Sequence, residues 1–166
     1  MHRVIVLAGL LAAELAPLAA SAAETVFLGQ KNDQTYTGYE NCSAETDTIC
    51  MTGWYRWTIR VERTVSGPRL PARIVAIVGQ HAPYVDPKGP PHELFVVRPI
   101  DDPEARERMH ADYLVDEESQ RLDDEPKRLG MYCMQTDPKQ IGLNVEVFAT
   151  GQSNYCFTLP PVPRKN

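Results

Sequence analysis

The segment 55–65 constrains the fold most strongly, because apolar and polar residues alternate along it. One face of an extended chain carries its large apolar side chains, which are Tyr55, Trp57, Ile59, Val61 and Val65. The opposite face carries polar side chains, which are Arg56, Thr58, Arg60, Glu62 and Thr64. A repeat of two residues is typical of a strand with one buried face, so the segment predicts an antiparallel sheet.

Other short apolar runs predict further strands, and turn residues separate them. The predicted strands cover 25–29 (resuming near 36–39), 73–78, 93–98, 129–134, 143–149 and 155–159. Residues 81–92 include four prolines and Gly89, so we expect a loop there.

A single helix is predicted after the strand 93–98. Asp102 is placed to cap the free amide groups of a helix, and Pro103 suits its first position. Three apolar residues then recur at four-residue spacing, which predicts a helix over 103–114. The polar stretch 116–128 is expected to be a loop. Many strands and one helix predict a mainly β domain, a small antiparallel barrel or sandwich with the helix across one end; the resemblance described next makes an OB-like barrel the expected form.

The order of these strands carries a resemblance to a known family. The relevant segments are 25–29 (TVFLG), 55–63 (YRWTIRVER), the turn 66–68 (SGP), the β-branched strand 73–78 and 93–98 (ELFVVR). Their order is similar to that of the netrin-like form of the oligonucleotide/oligosaccharide-binding barrel, which is also found in tissue inhibitors of metalloproteinases. The resemblance covers about residues 25–100 and implies a barrel fold. Those inhibitors use an N-terminal cysteine to reach a zinc ion. A mature chain starting near Glu24 has none there, so that chemistry does not carry over.

The first 23 residues have the layout of an export signal. A cationic start at Arg3 precedes the apolar run 4–18, and small residues suited to a signal peptidase follow. The run is shorter than the roughly 20 residues of a spanning helix, so cleavage is favoured over an uncleaved anchor. The predicted parts are a signal peptide (1–23), one β-rich domain (24–159) and a disordered proline-rich tail (160–166). The mature protein is expected to be soluble, in the periplasm or outside the cell, without membrane insertion.

All four cysteines lie in the predicted mature chain. An even number of cysteines in an oxidising compartment predicts disulfides, and four cysteines allow three connectivities. We favour Cys42–Cys50, which closes a short polar loop, with Cys133–Cys156, which joins two late strands. A metal site is the alternative, but the spacing of the cysteines does not match a zinc-ligand motif.

A formal net charge of −5 limits the partners of the chain. Nucleic-acid binding depends on neutralising phosphates, so no nucleic-acid partner is expected. The same charge disfavours docking on anionic lipid. The sequence gives no sign of a cofactor, and none is predicted.

Two histidines and one acidic patch are candidates for a functional site. His81 and His92 flank the proline-rich loop and could form a metal site or an acid–base pair, although two exposed loop histidines are favoured. The acidic patch consists of Asp112, Asp116, Glu117, Glu118, Asp123, Asp124 and Glu125. We expect it to be solvated surface, with a docking site for a basic partner second and a calcium site third.

Three residues near the long strand 55–65 are further candidates. Arg56 and Arg60 lie on its polar face, where cross-strand ion pairing is the favoured role and polyanion binding the alternative. Trp54 shares that face, and we expect it to be exposed as a contact surface beside the arginines.

Together these features favour a small exported binding protein that is not an enzyme. The concrete version is an inhibitor or immunity-type protein that acts on another exported protein. The predicted partner-binding residues are Trp54, Arg56, Arg60, Asp116, Glu117 and Glu118. One alternative is an exported metal-dependent hydrolase centred on His81 and His92. Another is a structural component of the cell envelope.

Overall fold

The computed structural model describes residues 23–40, 52–81, 92–122, 131–149 and 154–160. The first five strands are β1 (Thr25–Glu40), β2 (Gly53–Ser66), β3 (Arg73–Gln80), β4 (His92–Pro99) and β5 (Tyr113–Glu118). The later strands are β6 (Gln120–Leu122), β7 (Met131–Met134), β8 (Val147–Ala149) and β9 (Tyr155–Thr158). A short helix, α1 (Pro103–Met109), lies between β4 and β5.

The first five strands close a barrel in the order β1-β2-β3-β5-β4. Four of its pairings are antiparallel, as expected. The pairing of β3 with β5 is parallel, through Ala76 with Tyr113 and Ile77 with Leu114, because β4 and α1 carry the chain across between them. The prediction of a mainly β, OB-like barrel with one helix is confirmed, with this one parallel pairing as a difference.

The inward face of the barrel holds the main hydrophobic core. Its buried side chains are Phe27, Trp57, Ile59, Leu70, Ile74, Ala76, Phe95, Val97 and Val115. The alternation of the segment 55–65 therefore identified the correct buried face of β2. Burial of each large apolar side chain contributes about 1.5–3 kcal/mol, so these rings and branched chains supply most of the driving force for closure.

A second sheet, in the order β6-β7-β9-β8, packs against the outside of the barrel. Val26, Leu94 and Val96 of the barrel meet Tyr132 and Phe157 of this sheet in a second core. Strand β4 is therefore buried on both faces. This double burial explains why its sequence is a continuous apolar run instead of an alternating one.

The helix is shorter than predicted and lies elsewhere on the barrel. Asp102 caps it as expected, accepting a hydrogen bond of 3.0 Å from the amide of Glu104. It ends at Met109, because His110 adopts a left-handed conformation with φ 49° and ψ 46°. The segment from Tyr113 onwards is β5, which closes the barrel, so the predicted range 103–114 is wrong at its end. The helix also packs on the outer barrel face instead of across one end.

Three residues of the acidic patch, 116–118, lie in a strand and not in a loop. Residues 116–118 belong to β5, and residues 120–122 form β6, so the predicted loop 116–128 is wrong over these positions. The strand is not recognisable from the sequence, because three consecutive acidic residues disfavour a strand in the absence of partners. Residues 123–125 of the predicted patch lie outside the described residues.

Other boundaries differ by smaller amounts. Strand β1 is continuous with register shifts, not interrupted between 29 and 36. The predicted strand 143–149 is shortened to β8, because residues 143–146 are not part of a strand. Cys133 and Cys156 are directly opposite in the pairing of β7 with β9, and their predicted disulfide is confirmed.

Several predictions fall outside the described residues. They are the signal peptide up to residue 22, the Cys42–Cys50 bridge, most of the proline-rich loop and the tail beyond Pro160. Pro160 itself is described, and its carbonyl accepts a hydrogen bond of 3.2 Å from Arg63. Within the described ranges, no helix has the length and apolar character needed to span a membrane.

Candidate functional site at the extended end of the barrel

Trp54 lies on the outer face of β2, as its position in the alternation requires. It is half-buried there and packs with Ile77, Met109 and Ala111 beside α1. The expectation of an exposed aromatic contact residue is therefore wrong, because the helix covers the side of the barrel that the sequence alone leaves open.

The two candidate arginines of β2 differ in their surroundings. Arg56 is half-buried, whereas Arg60 is exposed and donates hydrogen bonds to Gln30 at 2.7 Å and to Glu62 at 3.0 Å. Glu62 also lies 2.9 Å from Nδ1 of His92. The ion pair of Arg60 is therefore with a residue of its own strand, and its cross-strand partner Gln30 is neutral, so the predicted cross-strand ion pairing of Arg60 does not occur among these contacts. The contacts of Arg60 and Glu62 nevertheless join three neighbouring strands on the barrel surface.

The structure does not bring the two candidate histidines together. Nδ1 of His81 lies 3.3 Å from the hydroxyl of Thr52, just before β2 begins. His92 contacts Glu62, which lies in β2, ten positions after Thr52 in the sequence. Among the described residues, no group of three or more His, Cys, Asp or Glu side chains is arranged to hold a metal ion. These contacts do not bring His81 and His92 together, so they do not form the alternative site that requires both histidines.

Two of the three candidate carboxylates on β5 make contacts that stabilise the fold. Asp116 accepts a hydrogen bond of 3.0 Å from Nε of Arg98 on the adjacent strand. Glu117 accepts hydrogen bonds from the backbone amides of Gln135 and Thr136, which follow β7. Glu117 therefore connects the barrel to the second sheet, and these carboxylates are not simply solvated surface.

The third carboxylate, Glu118, belongs to a buried charged group at one end of the barrel. Its Oε1 lies 3.0 Å from Nζ of Lys31, whose side chain is only 9% exposed. The same ammonium lies 3.9 Å from the centre of the Trp57 ring. An ammonium so far from water needs both its carboxylate and the negative face of the ring. This group marks the point where β1 continues beyond its pairing with β4.

Unsatisfied polar atoms lie beside this charged group. Gln34 is directly opposite Trp57 in the pairing of β1 with β2. The amide oxygen and nitrogen of Gln34 and Nε1 of Trp57 are buried, and none of these three atoms has a hydrogen-bond partner among the described residues. An unsatisfied buried polar group costs about 1–3 kcal/mol, so this end of the barrel is not optimised for stability alone.

Aromatic side chains continue from the core towards this end. Inside the barrel, the ring of Phe95 lies 5.3 Å from that of Phe27 and 6.3 Å from that of Trp57. Further out, on β1 and β2, Tyr36 packs on Tyr55 with their ring centres 5.3 Å apart. The aromatic series thus begins in the core and ends at the surface.

The outer part of β1, residues 33–40, forms what we call the tyrosine ribbon. In the described part of the chain it pairs with β2 alone, since β4 pairs only with residues 25–30. Tyr36 and Tyr39 are 48% and 44% exposed, although both are large aromatic residues. Gly38 adopts φ +84°, a conformation suited to glycine, next to the last shift in register of the ribbon.

The free edge of the tyrosine ribbon is partly closed to further strand pairing. The amide of Gln34 donates to the side chain of Asp33 at 2.8 Å, and that of Tyr39 donates to the hydroxyl of Thr37 at 3.3 Å. One register shift interrupts the ribbon between Tyr36 and Glu40, and another lies at its start, between Lys31 and Asp33. Such features protect sheet edges from strand addition, so contacts here are expected through side chains.

Sequence reasoning missed both Lys31 and the tyrosine ribbon. The segment 36–39 was correctly expected to be extended, and its Thr and Gly neighbours indicated an exposed setting for the tyrosines. Lys31 gave no comparable signal, because burial of a lysine depends on a partner 87 positions away in the sequence.

The chain shows no match to the proteins compared with it: protein-family models, curated proteins and solved structures all gave none.

Proposed function

We propose that the protein is a small exported binding protein, not an enzyme, and that it binds another exported protein through the tyrosine ribbon. The observation that supports this most directly is the exposure of Tyr36 and Tyr39, with the Tyr36 ring held against Tyr55. Tyrosine is enriched in interfaces because it offers a large contact area at low conformational cost. A ring that is already held in place loses less entropy on binding.

The charges around the ribbon indicate the chemistry of the partner. Asp33 and Glu40 are exposed on it, whereas Lys31, which precedes it on β1, is buried beside Glu118. The ribbon therefore presents aromatic rings and carboxylates, which suit a basic surface whose Arg or Lys side chains stack on tyrosine. The net charge of −5 also favours a basic partner, because it attracts positive charge over longer distances.

An inhibitor or immunity-type role fits this chemistry. A protein that covers the basic substrate-binding face of an exported enzyme or toxin needs a rigid, acidic and aromatic contact surface. The Cys133–Cys156 bridge is compatible with work in an oxidising compartment.

The test is capture of the partner with matched variants of the bait. The purified protein is used on envelope extract of the producing organism, and each captured protein is identified and purified for direct affinity measurement. We expect Tyr36→Ser combined with Tyr39→Ser to weaken binding about tenfold or more. Tyr155→Ser removes a 36% exposed tyrosine from the second sheet and should leave affinity unchanged. Added salt should weaken binding by the wild type.

Other outcomes would contradict the proposal. Equal loss in the ribbon variant and the Tyr155→Ser control would exclude the ribbon as the site. Self-association without a captured partner would support the structural envelope component instead. Stoichiometric zinc, with hydrolysis lost in both His81→Ala and His92→Ala, would support the hydrolase.

A further inference from the structure

A second candidate site lies at the end of the barrel opposite to the tyrosine ribbon. A cleft of about 360 Å³ opens there between the start of β1, the ends of β2 and β4, and the turn 138–142. Glu24, Ser66, Arg98 and Gln140 contribute polar side chains to it. Its volume is within the range of small-molecule sites, about 300–1,000 Å³.

Arg98 brings a guanidinium with unused donors to this cleft. Its Nε binds Asp116 at 3.0 Å, and no other hydrogen bond of this side chain occurs among the described residues. The two terminal nitrogens are therefore available, and a planar pair of N–H groups is the geometry that recognises a carboxylate.

Glu24 brings the opposite charge to the same cleft, from just before the strand that is paired with β4. Thr25 pairs with Val97, so continuing that register by one position places Glu24 across from Arg98. Cross-strand neighbours of this kind have Cβ atoms about 4.5–5.5 Å apart. Despite this proximity, the described contacts include no ion pair between Glu24 and Arg98, and the cation and the carboxylate both line the cleft.

Two glycines allow a close approach of the backbone at the cleft: Gly142 lines it, and Gly67 packs against the lining residue Glu24. A methyl group on Gly67, which has φ +83°, would collide with the carbonyl oxygen of Glu24. One on Gly142, which has φ +72°, would lie 2.7 Å from the hydroxyl oxygen of Ser66. The cleft is therefore built by packed backbone, and this preorganisation lowers the cost of binding.

We infer that this cleft binds a small zwitterion, a free α-amino acid. Arg98 receives the α-carboxylate and Glu24 receives the α-ammonium, while Ser66 and Gln140 supply a hydroxyl and an amide for further hydrogen bonds. A ligand with one charge of each sign matches the guanidinium of Arg98 and the carboxylate of Glu24 better than a simple anion does, because Glu24 would repel the anion. This site is separate from the tyrosine ribbon and does not depend on the proposed partner.

The test uses the purified protein, with its N-terminus determined by mass spectrometry. Each common L-amino acid is titrated by calorimetry and by thermal shift. We expect at least one to bind and to raise the melting temperature, as ligands of the native state do. Arg98→Gln and Glu24→Gln should each weaken that binding roughly tenfold, the loss expected for a charge-assisted hydrogen bond. Arg73→Gln, which alters an exposed arginine on β3, is the matched control and should have no effect.

Derivatives of the bound amino acid separate the two charges. The amide derivative lacks the carboxylate and should lose affinity in the wild type but not in Arg98→Gln. The N-acetyl derivative lacks the ammonium and should lose affinity in the wild type but not in Glu24→Gln. Absence of binding by every amino acid at millimolar concentration would overturn the inference. So would full affinity of the N-acetyl derivative, or binding that Arg98→Gln leaves unchanged.

Discussion

Replacing Lys31 with methionine tests the buried charged group at the base of the tyrosine ribbon. Lys31→Met keeps most of the apolar stem but removes the ammonium that lies 3.0 Å from Glu118 and 3.9 Å from the centre of the Trp57 ring. The substitution leaves the Glu118 carboxylate without this cation in a mostly buried position. We expect it to destabilise the fold.

The contacts of Lys31 set the expected magnitude. Breaking a fully buried ion pair by removing one partner costs about 3–5 kcal/mol. A desolvated cation–π contact adds about 2 kcal/mol. Glu118 is 27% exposed, so water compensates for part of the loss. The methionine also avoids the cost of burying an ammonium, so we expect the free energy of unfolding to fall by about 3 kcal/mol, the lower limit for a buried pair.

Urea denaturation followed by tryptophan fluorescence measures this change, since Trp57 is in the core and contacts Lys31. Lys31→Met combined with Glu118→Gln should be more stable than additivity predicts, by about 1–2 kcal/mol, because no buried carboxylate is then left without its cation. Arg60→Met removes an exposed ion pair and should cost less than about 1 kcal/mol. Equal losses in Lys31→Met and Arg60→Met, or simple additivity in the double variant, would refute the reasoning.

Two further predictions concern the backbone and the disulfide. Gly67→Ala should lower the free energy of unfolding by about 2 kcal/mol or more, because strain at φ +83° is added to a collision with Glu24. Gly38→Ala, at φ +84° in open space, should lower it by about 1 kcal/mol. Equal losses of stability in thermal unfolding would show that the collision at Gly67 is relieved. Replacing Cys133 and Cys156 with alanine should reduce the free energy of unfolding by about 3 kcal/mol, given their separation of 23 residues, and an unchanged denaturation midpoint would contradict a stabilising role for the bridge.

Much of the fold follows from local sequence patterns. The alternation in 55–65 identified both the strand and its buried face, and Asp102 with Pro103 marked the start of the helix. Cys133 and Cys156 were paired correctly because both fell in predicted strands of one oxidised domain. These signals depend on neighbours in the sequence, and for that reason they could be recognised without a structure.

Strand β5 shows where local patterns fail. Its sequence ends in Asp116, Glu117 and Glu118, which by themselves indicate a solvated loop. The segment is nevertheless held between β3 and β4, and each carboxylate has a partner on another element. Closure of the barrel supplies those partners, so tertiary pairing outweighs the local preference of the acidic residues.

The candidate sites divide in the same way. The sequence by itself determined a β-rich, disulfide-containing chain, and it predicts an export signal and, from its charge, the kinds of partner to expect. Only the tertiary structure decided that Trp54 is covered by α1, that Lys31 is buried and that Tyr36 and Tyr39 are exposed. It also decided that Glu24 and Arg98 face one cleft. Exposure and opposition of charges depend on which distant segments pack together, and that information is absent from any short stretch of the chain.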